Sequence, residues 1–280
     1  MPTALVTDST AYLSADLVEA HGIGVVPLHV VVGGQERREG VDIAAGEVAE
    51  ALRGFRPVST SRPAPQAFLD VYRDLADKGA DSIVSVHISA DMSSTLGSAQ
   101  LAAQNSPVPV TVIDSRSMGM AMGYAVLAGA ALASRGVSAE EVAEAVRARC
   151  AAATVVFYVD TLEHLRRGGR IGKANALVGS ALAIKPILGL ADGSIVPLER
   201  VRTSSRAIAR LEELAVEAAG TQAVDIAVHH LDSAERAEKL AERLQSRIDG
   251  IKDFMIVELG AVVGAHVGPG TLAIAVSPRV

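Results

Sequence analysis

The 280-residue sequence has no tryptophan, four phenylalanines, four tyrosines and one cysteine. Aromatics make up 3% of a chain that is 49% hydrophobic, so the core must be aliphatic, built from Ala, Val, Leu and Ile. The lone Cys150 excludes an intrachain disulfide and a cysteine-rich zinc site. Its place beside Ala151 and Ala152 in a helical pattern reads as a small buried hydrophobe. Lysine is scarce as well, five against 21 arginines, and the net charge of −6 is spread along the chain. Phosphate neutralisation needs a basic face, so a nucleic-acid partner is excluded. Long apolar runs are missing: 121–133 is short and 174–191 is broken by Lys185 and Pro186, where a membrane helix needs roughly 20 residues. Asp8 interrupts the N-terminus before a signal-peptide core can form, and no basic region precedes it. A cytoplasmic protein without an integral membrane segment is expected.

The usual catalytic signatures are absent too. A P-loop reading of Gly172-Lys173 fails because Arg167 stands where the first glycine belongs and Ala174 where Ser or Thr belongs. Gly268-x-Gly270-x-x-Ala273 imitates a dinucleotide fingerprint, yet Pro269 interrupts it and too little chain follows for a βαβ unit. Neither Gly-x-Ser-x-Gly nor His-Glu-x-x-His occurs. His229 and His230 are adjacent in a predicted strand and point to opposite faces, which disfavours a shared metal ion. Asp8, Asp114 and Asp160 end predicted strands and are each followed by Ser or Thr, which suits Asx turns and helix caps better than a magnesium cluster or an acid/base pair. No catalytic residue, metal or cofactor is expected.

What is present is a rhythm of short β-branched runs and longer helical patterns. "TALVT", "SIVSVHI", "VPVTVI" and "TVVFYV" alternate with predicted helices over 14–21, 94–104, 121–135, 138–151 and 161–167. Strand, helix, strand implies parallel pairing in a sheet covered on both faces. Beyond about residue 158 the pattern changes. A hairpin turning at "ADGS" is followed by helices over 204–219 and 233–247 and strands "AVDIAVHH", "FMIVELG" and "TLAIAV". The prediction is a two-domain α/β protein: an N-terminal three-layer domain with a mostly parallel sheet (1–158) and a C-terminal domain with a mixed sheet (159–280), packed closely around a cleft.

Ligands of open α/β sheets bind at the carboxyl ends of the strands, and those ends are rich in hydroxyls. Ser93, Ser94 and Thr95 precede or begin a helix, where they cap N–H groups and where the helix dipole favours an anion. Plain capping explains any one of them, but repetition at several strand ends favours an anion cradle. In "GAHVGPG", His266 stands in a short tract of small residues and reads as lying on a glycine-rich turn that lets backbone and ligand approach closely.

Seven motifs, "VTDSTAYL", "IGVVPLHVVVGGQERREGVDI", "STSRPAP", "ISADMSSTLGSAQLAA", "VIDSRSMGMAMG", "VDTLEHLRRGGRIGKANALVGSALAIKPIL" and "GAVVGAHVGPGTLAIA", resemble in order those of the DegV family of bacterial fatty-acid-binding proteins, from about residue 3 to 277. The resemblance implies a non-enzymatic carrier that encloses one long-chain fatty acid, its tail in an apolar tunnel and its carboxylate near the domain interface. In firmicute members the acid is presented to a separate fatty acid kinase for acyl phosphate formation. Carried over by position, Thr60 and Ser93 donate hydrogen bonds to the carboxylate, with Ser61, Ser94, Thr95 and His266 close by. Leu177, Gly179, Ala183 and Ile187 line the tunnel, and Arg170 and Arg202 serve the partner or the acyl phosphate. The fatty acid is a ligand rather than a cofactor. Two positions depart from the family pattern: Arg62 replaces a common glutamine and Ser94 a glycine. Two rival readings stay open. One is a phosphotransferase or hydrolase at the same strand-end anion site, since the family resembles one domain of dihydroxyacetone kinases in fold. The other is a carboxylate- or lipid-sensing module without a kinase.

Overall fold

A computed structural model describes residues 2–177 and 184–280. From the N-terminus run β1 (Thr3–Asp8), α1 (Ala15–His21), β2 (Gly24–Val26), β3 (His29–Val32), β4 (Gln35–Arg38), α2 (Ala45–Arg53) and β5 (Val58–Ser61). Next come α3 (Pro65–Asp77), β6 (Ser82–His87), α4 (Thr95–Ala103), β7 (Val110–Asp114), α5 (Met120–Ala133) and α6 (Ala139–Ala152). The remainder carries β8 (Thr154–Tyr158), α7 (Glu163–Arg167), β9 (Lys185–Ala191), β10 (Ser194–Val201), α8 (Ser204–Ala219), β11 (Val224–His230), α9 (Ala234–Arg247), β12 (Ile251–Glu258), α10 (Ala261–Val267) and β13 (Leu272–Pro278). These elements form two compact units. One comprises the residues up to His29, Ser61–Ala152 and Val280; the other comprises Val30–Thr60 and Ala153–Arg279.

The first unit is built on a parallel four-stranded sheet of order β2-β1-β6-β7. Successive strand residues face opposite ways, so neighbours go to different cores. Leu5, Val84 and Ile113 pack with Met122, Val126 and Val146 of α5 and α6. Val6, Val26 and Ile83 pack with Phe68, Tyr72 and Ala99 of α3 and α4. Both faces are therefore dry, which is why the strands read as unbroken apolar runs. The Ser14 hydroxyl caps α1 by accepting from Leu17 N, and Pro65 opens α3 where its missing N–H costs nothing.

The second unit is built on a six-stranded sheet of order β10-β9-β8-β13-β11-β12, antiparallel except for the β11–β12 pair. Tyr158, Ile187, Ile226 and Leu272 of the sheet pack with Leu211 of α8 and Leu240 of α9. The β9–β10 hairpin turns on Asp192 (φ 52°) and Gly193 (φ 81°), two left-handed residues that match the right-handed twist of the strands. A smaller sheet of order β4-β3-β5 and helix α2 come from the excursion Val30–Thr60, with α2 packed on α10.

The units differ from a single division at residue 158. β8, expected to extend the parallel sheet, instead pairs antiparallel with β13 and β9, because the chain leaving α6 starts a new sheet. The excursion Val30–Thr60, expected with the N-terminal half, belongs with the C-terminal part. Among the described residues no helix is long and apolar enough to cross a membrane.

Candidate functional site

A cavity of about 590 Å³ opens in the second unit where β5, α7 and α10 meet. Thr60, at the end of the small sheet, and His266, in the last turn of α10, line it and are joined by a 2.9 Å hydrogen bond between Thr60 Oγ1 and His266 Nε2. Arg56, Arg167 and Arg170 line the same cavity, as does His164, and among the described residues no carboxylate lines it, although Arg167 Nε donates to Glu163 Oε1 at 2.7 Å. In a chain of net charge −6, Arg56 and Arg170 leave this lining locally cationic, while Arg167 is offset by Glu163.

His266 is held by close approach. A methyl group on Gly168 would stand 2.0 Å from His266 Nδ1, so the ring lies directly on the α7 terminus. The contact is reciprocated: Gly268 (φ +77°), which ends α10, meets His164 of α7 and would place a methyl group 2.2 Å from its ring. Arg170 Nη1 donates to the Gly168 carbonyl at 2.8 Å, fixing the guanidinium beside the imidazole. Burial, and then the Arg170 charge, push the His266 pKa down to about 4, so the ring is neutral near pH 7. Among the described residues its buried Nδ1 has no hydrogen-bond partner. A proton there would strand an N–H, so the tautomer protonated at Nε2 is selected. Nε2–H then donates to Thr60 Oγ1, and the Thr60 hydroxyl proton is left to be donated to a ligand. His266 thus lies on a helix rather than on a turn, and it supports a donor instead of offering a positive charge.

The residues singled out in sequence separate into three groups. Thr60, His266 and Arg170 come together. Ser61, Ser93, Ser94 and Thr95 belong to the first unit. There Ser93 Oγ and Thr95 Oγ1 lie 2.8 Å apart and Ser93 Oγ accepts from Thr95 N at 3.3 Å, a local turn just before the helix, while Ser94 is the cap residue of α4 and makes no side-chain cap bond. The rest are scattered. Arg202 lies between β10 and α8, Ile187 is buried in the core beside Tyr158 and Leu211, and Leu177 ends a short 3₁₀ helix (Gly172–Leu177). Gly179 and Ala183 lie outside the described residues.

Sequence reading missed a buried hydrogen-bonded chain in the first unit. Asp8 Oδ2 faces His87 Nδ1 at 3.1 Å, His87 Nε2 faces Ser85 Oγ at 2.7 Å, and Ser85 Oγ faces Tyr72 Oη at 2.9 Å. The pattern resembles an acid–histidine–serine relay. Ser85, His87, Asp8 and Tyr72 are each fully buried, however, so no substrate reaches the hydroxyl. Asp8 also accepts from Thr10 N at 3.0 Å and Ile88 N at 3.0 Å, which ties the start of the Ser93 loop to β1. The strand spacing of Ser85 and His87 was the available signal, because i and i+2 share a face. Among the described residues no group of three or more His, Cys, Asp or Glu side chains is placed to hold a metal.

Acid should weaken the fold through the buried imidazoles. Burial pushes His229 as well as His266 down to about 4, against 6.5 for the ordinary side chain. The unfolded chain therefore binds more protons between those values, so the stabilisation is complete above pH 6.5 and is lost as pH falls through 4. Urea midpoints should drop across that window, and His266→Gln should flatten the drop. A midpoint constant from pH 7 to 4 would contradict this account.

The comparisons with known proteins agree with one another. The family model DegV, described as an uncharacterised protein family, matches residues 2–279. A DegV domain-containing protein of Streptomyces coelicolor is 53% identical over 276 residues, covering 99% of this chain and 98% of its own. One from Mycobacterium tuberculosis is 36% identical over 277 residues, covering 99% and 97%. Among solved structures, a DegV family protein from Thermus thermophilus described for its fatty acid binding superposes with a TM-score of 0.94 at 33% identity, over 99% of this chain and 100% of its own. DegV of Bacillus subtilis, described as a fatty acid binding protein, gives 0.91 at 34% identity over 99% of both chains.

Proposed function

The chain belongs to the DegV family, and from that premise we propose that it is a cytoplasmic, non-catalytic carrier of a long-chain fatty acid whose carboxylate is held by the Thr60–His266 pair. The observation that carries this reading is the cavity itself: a hydroxyl donor oriented by a neutral imidazole, with Arg56 and Arg170 beside it and no acidic side chain in the lining among the described residues. The two structural relatives described as fatty acid binding supply the ligand class. The tail is assigned to the segment that the family resemblance gives, with Leu177, Gly179, Ala183 and Ile187. Burying roughly fifteen methylenes at about 0.8 kcal/mol each dominates affinity, so the headgroup contacts mainly orient the acid. Arg56 and Arg170 beside the Thr60 hydroxyl support the finer proposal that the site also accommodates an acyl phosphate made by a separate kinase.

Mass spectrometry of the purified, denatured protein should release a long-chain fatty acid. Protein that is free of lipid and also ignores added palmitate and oleate would overturn the proposal, and ATP turnover by the isolated chain would favour the phosphotransferase rival. Thr60→Ala should weaken oleate binding by about tenfold, the scale of a lost hydrogen bond to a charged group. Ser93→Ala tests separately the donor that the resemblance assigns in the first unit.

A further inference from the structure

The excursion Val30–Thr60 grips α10 at both ends. At the C-terminal end Thr60 bonds His266. At the other end the cap residue is Gly260, which has no side chain to offer the unpaired N–H groups of the first turn. The missing acceptor arrives from 223 residues away: Glu39 Oε1 accepts from Val262 N at 2.8 Å. Glu39 is only 5% exposed, and an acid buried to that degree must be partnered. An acidic group also complements the positive end of a helix. Its own place is fixed, since Glu39 bridges Ile43, Gly40 N donates to Ile43 O, and Arg38 and Asp42 pair at 2.8 Å across the turn.

We propose that Glu39 is a positioning residue for the headgroup site. α10 has seven residues, about 10 Å of rigid rod at 1.5 Å per residue, so its depth and rotation at Val262 set where His266 meets Thr60. The buried acid and the hydroxyl form a two-point clamp on one helix, and both come from the same excursion. The inference rests on the reading of Thr60 and His266 as the headgroup end.

The test is a double-mutant cycle in the full chain with oleate as the probe. Glu39→Ala should weaken binding on the order of tenfold, and Glu39→Ala combined with His266→Ala should bind no worse than His266→Ala alone. Glu39→Gln keeps an acceptor oxygen and should restore most of the affinity. Losses that simply multiply in the double variant, or no recovery with glutamine, would overturn the proposal. Imidazole nitrogen NMR gives an independent reading: Glu39→Ala should shift the His266 signals and speed exchange of its Nε2 proton, and unchanged signals would overturn the proposal. Should Glu39→Ala not fold, Glu39→Asp, with its shorter reach, must perturb the same signals. Should His266→Ala retain full oleate affinity, the headgroup reading fails, and the NMR result alone decides whether Glu39 positions His266.

Discussion

Gly168→Ala should disable the headgroup site while leaving the sheets folded. The glycine has φ −74°, a conformation open to any residue, so backbone strain does not enter. What the substitution changes is distance. The new methyl group would stand 2.0 Å from His266 Nδ1 and 2.8 Å from Cε1, far inside contact, and 3.2 Å from the His164 carbonyl of α7. The ring must move, and moving it disturbs the Thr60 bond. Overpacking of this kind costs about 1–3 kcal/mol, readable as a lower urea midpoint. The larger effect falls on binding: Thr60 loses its oriented partner, and oleate affinity should drop by at least about tenfold, as when a hydrogen bond to a charged group is lost. Gly168→Ala with unchanged oleate binding would show that His266 does not set the headgroup geometry.

Asp8→Ala should be the most damaging single change in the first unit. It strands Thr10 N, Ile88 N and His87 Nδ1 in a fully buried place, and it removes the partner of Thr10 Oγ1 at 2.5 Å. Unsatisfied buried donors cost about 1–3 kcal/mol each, so a loss of about 3 kcal/mol or more in urea denaturation is expected. Tyr72→Phe at the far end of the chain removes one hydroxyl, and about 1 kcal/mol is expected there. Burial pushes the Tyr72 pKa up to about 12, which keeps that hydroxyl protonated at any working pH. Ser85→Ala should keep oleate binding. Should the wild-type protein hydrolyse an acyl ester and Ser85→Ala abolish it, the buried relay would have to open, and the hydrolase rival would gain ground. An Asp8→Ala protein as stable as wild type would remove the relay from the framework altogether.

Much of the architecture is legible because the sheets are dry. β1, β6, β7, β11 and β13 are short apolar runs, and α8 and α9 alternate faces cleanly. The unpredicted elements are of two kinds: α2 and α3 carry an amphipathic period, with Val48 and Ala51 or Phe68, Leu69 and Tyr72 buried on one face, whereas others have no such signal. β2 is three residues long and β4 is "QERR", with no apolar face. In α10, "AVVGAHV", every residue except His266 is buried, so no period marks a helix and the glycines suggest a turn. Thr60 and His266 were reached through motif resemblance. Their mutual contact, and those with Gly168 and His164, depend on tertiary approaches that no local pattern encodes. Glu39 shows the same limit: its partner is a backbone N–H, which leaves no trace in side-chain identity.

The excursion Val30–Thr60 also has a consequence for the order of assembly. Thr60 leaves the ribosome 206 residues before His266. At roughly 5–20 residues per second that interval is about 10–40 s. Through most of it the three-stranded sheet and α2 have no α10 to hold. The first unit's parallel sheet can be complete by then, since its last strand ends at Asp114. The Thr60–His266 contact is therefore among the last to form, with only β13 still to follow, and a nascent chain stalled before α10 carries Thr60 without its imidazole partner.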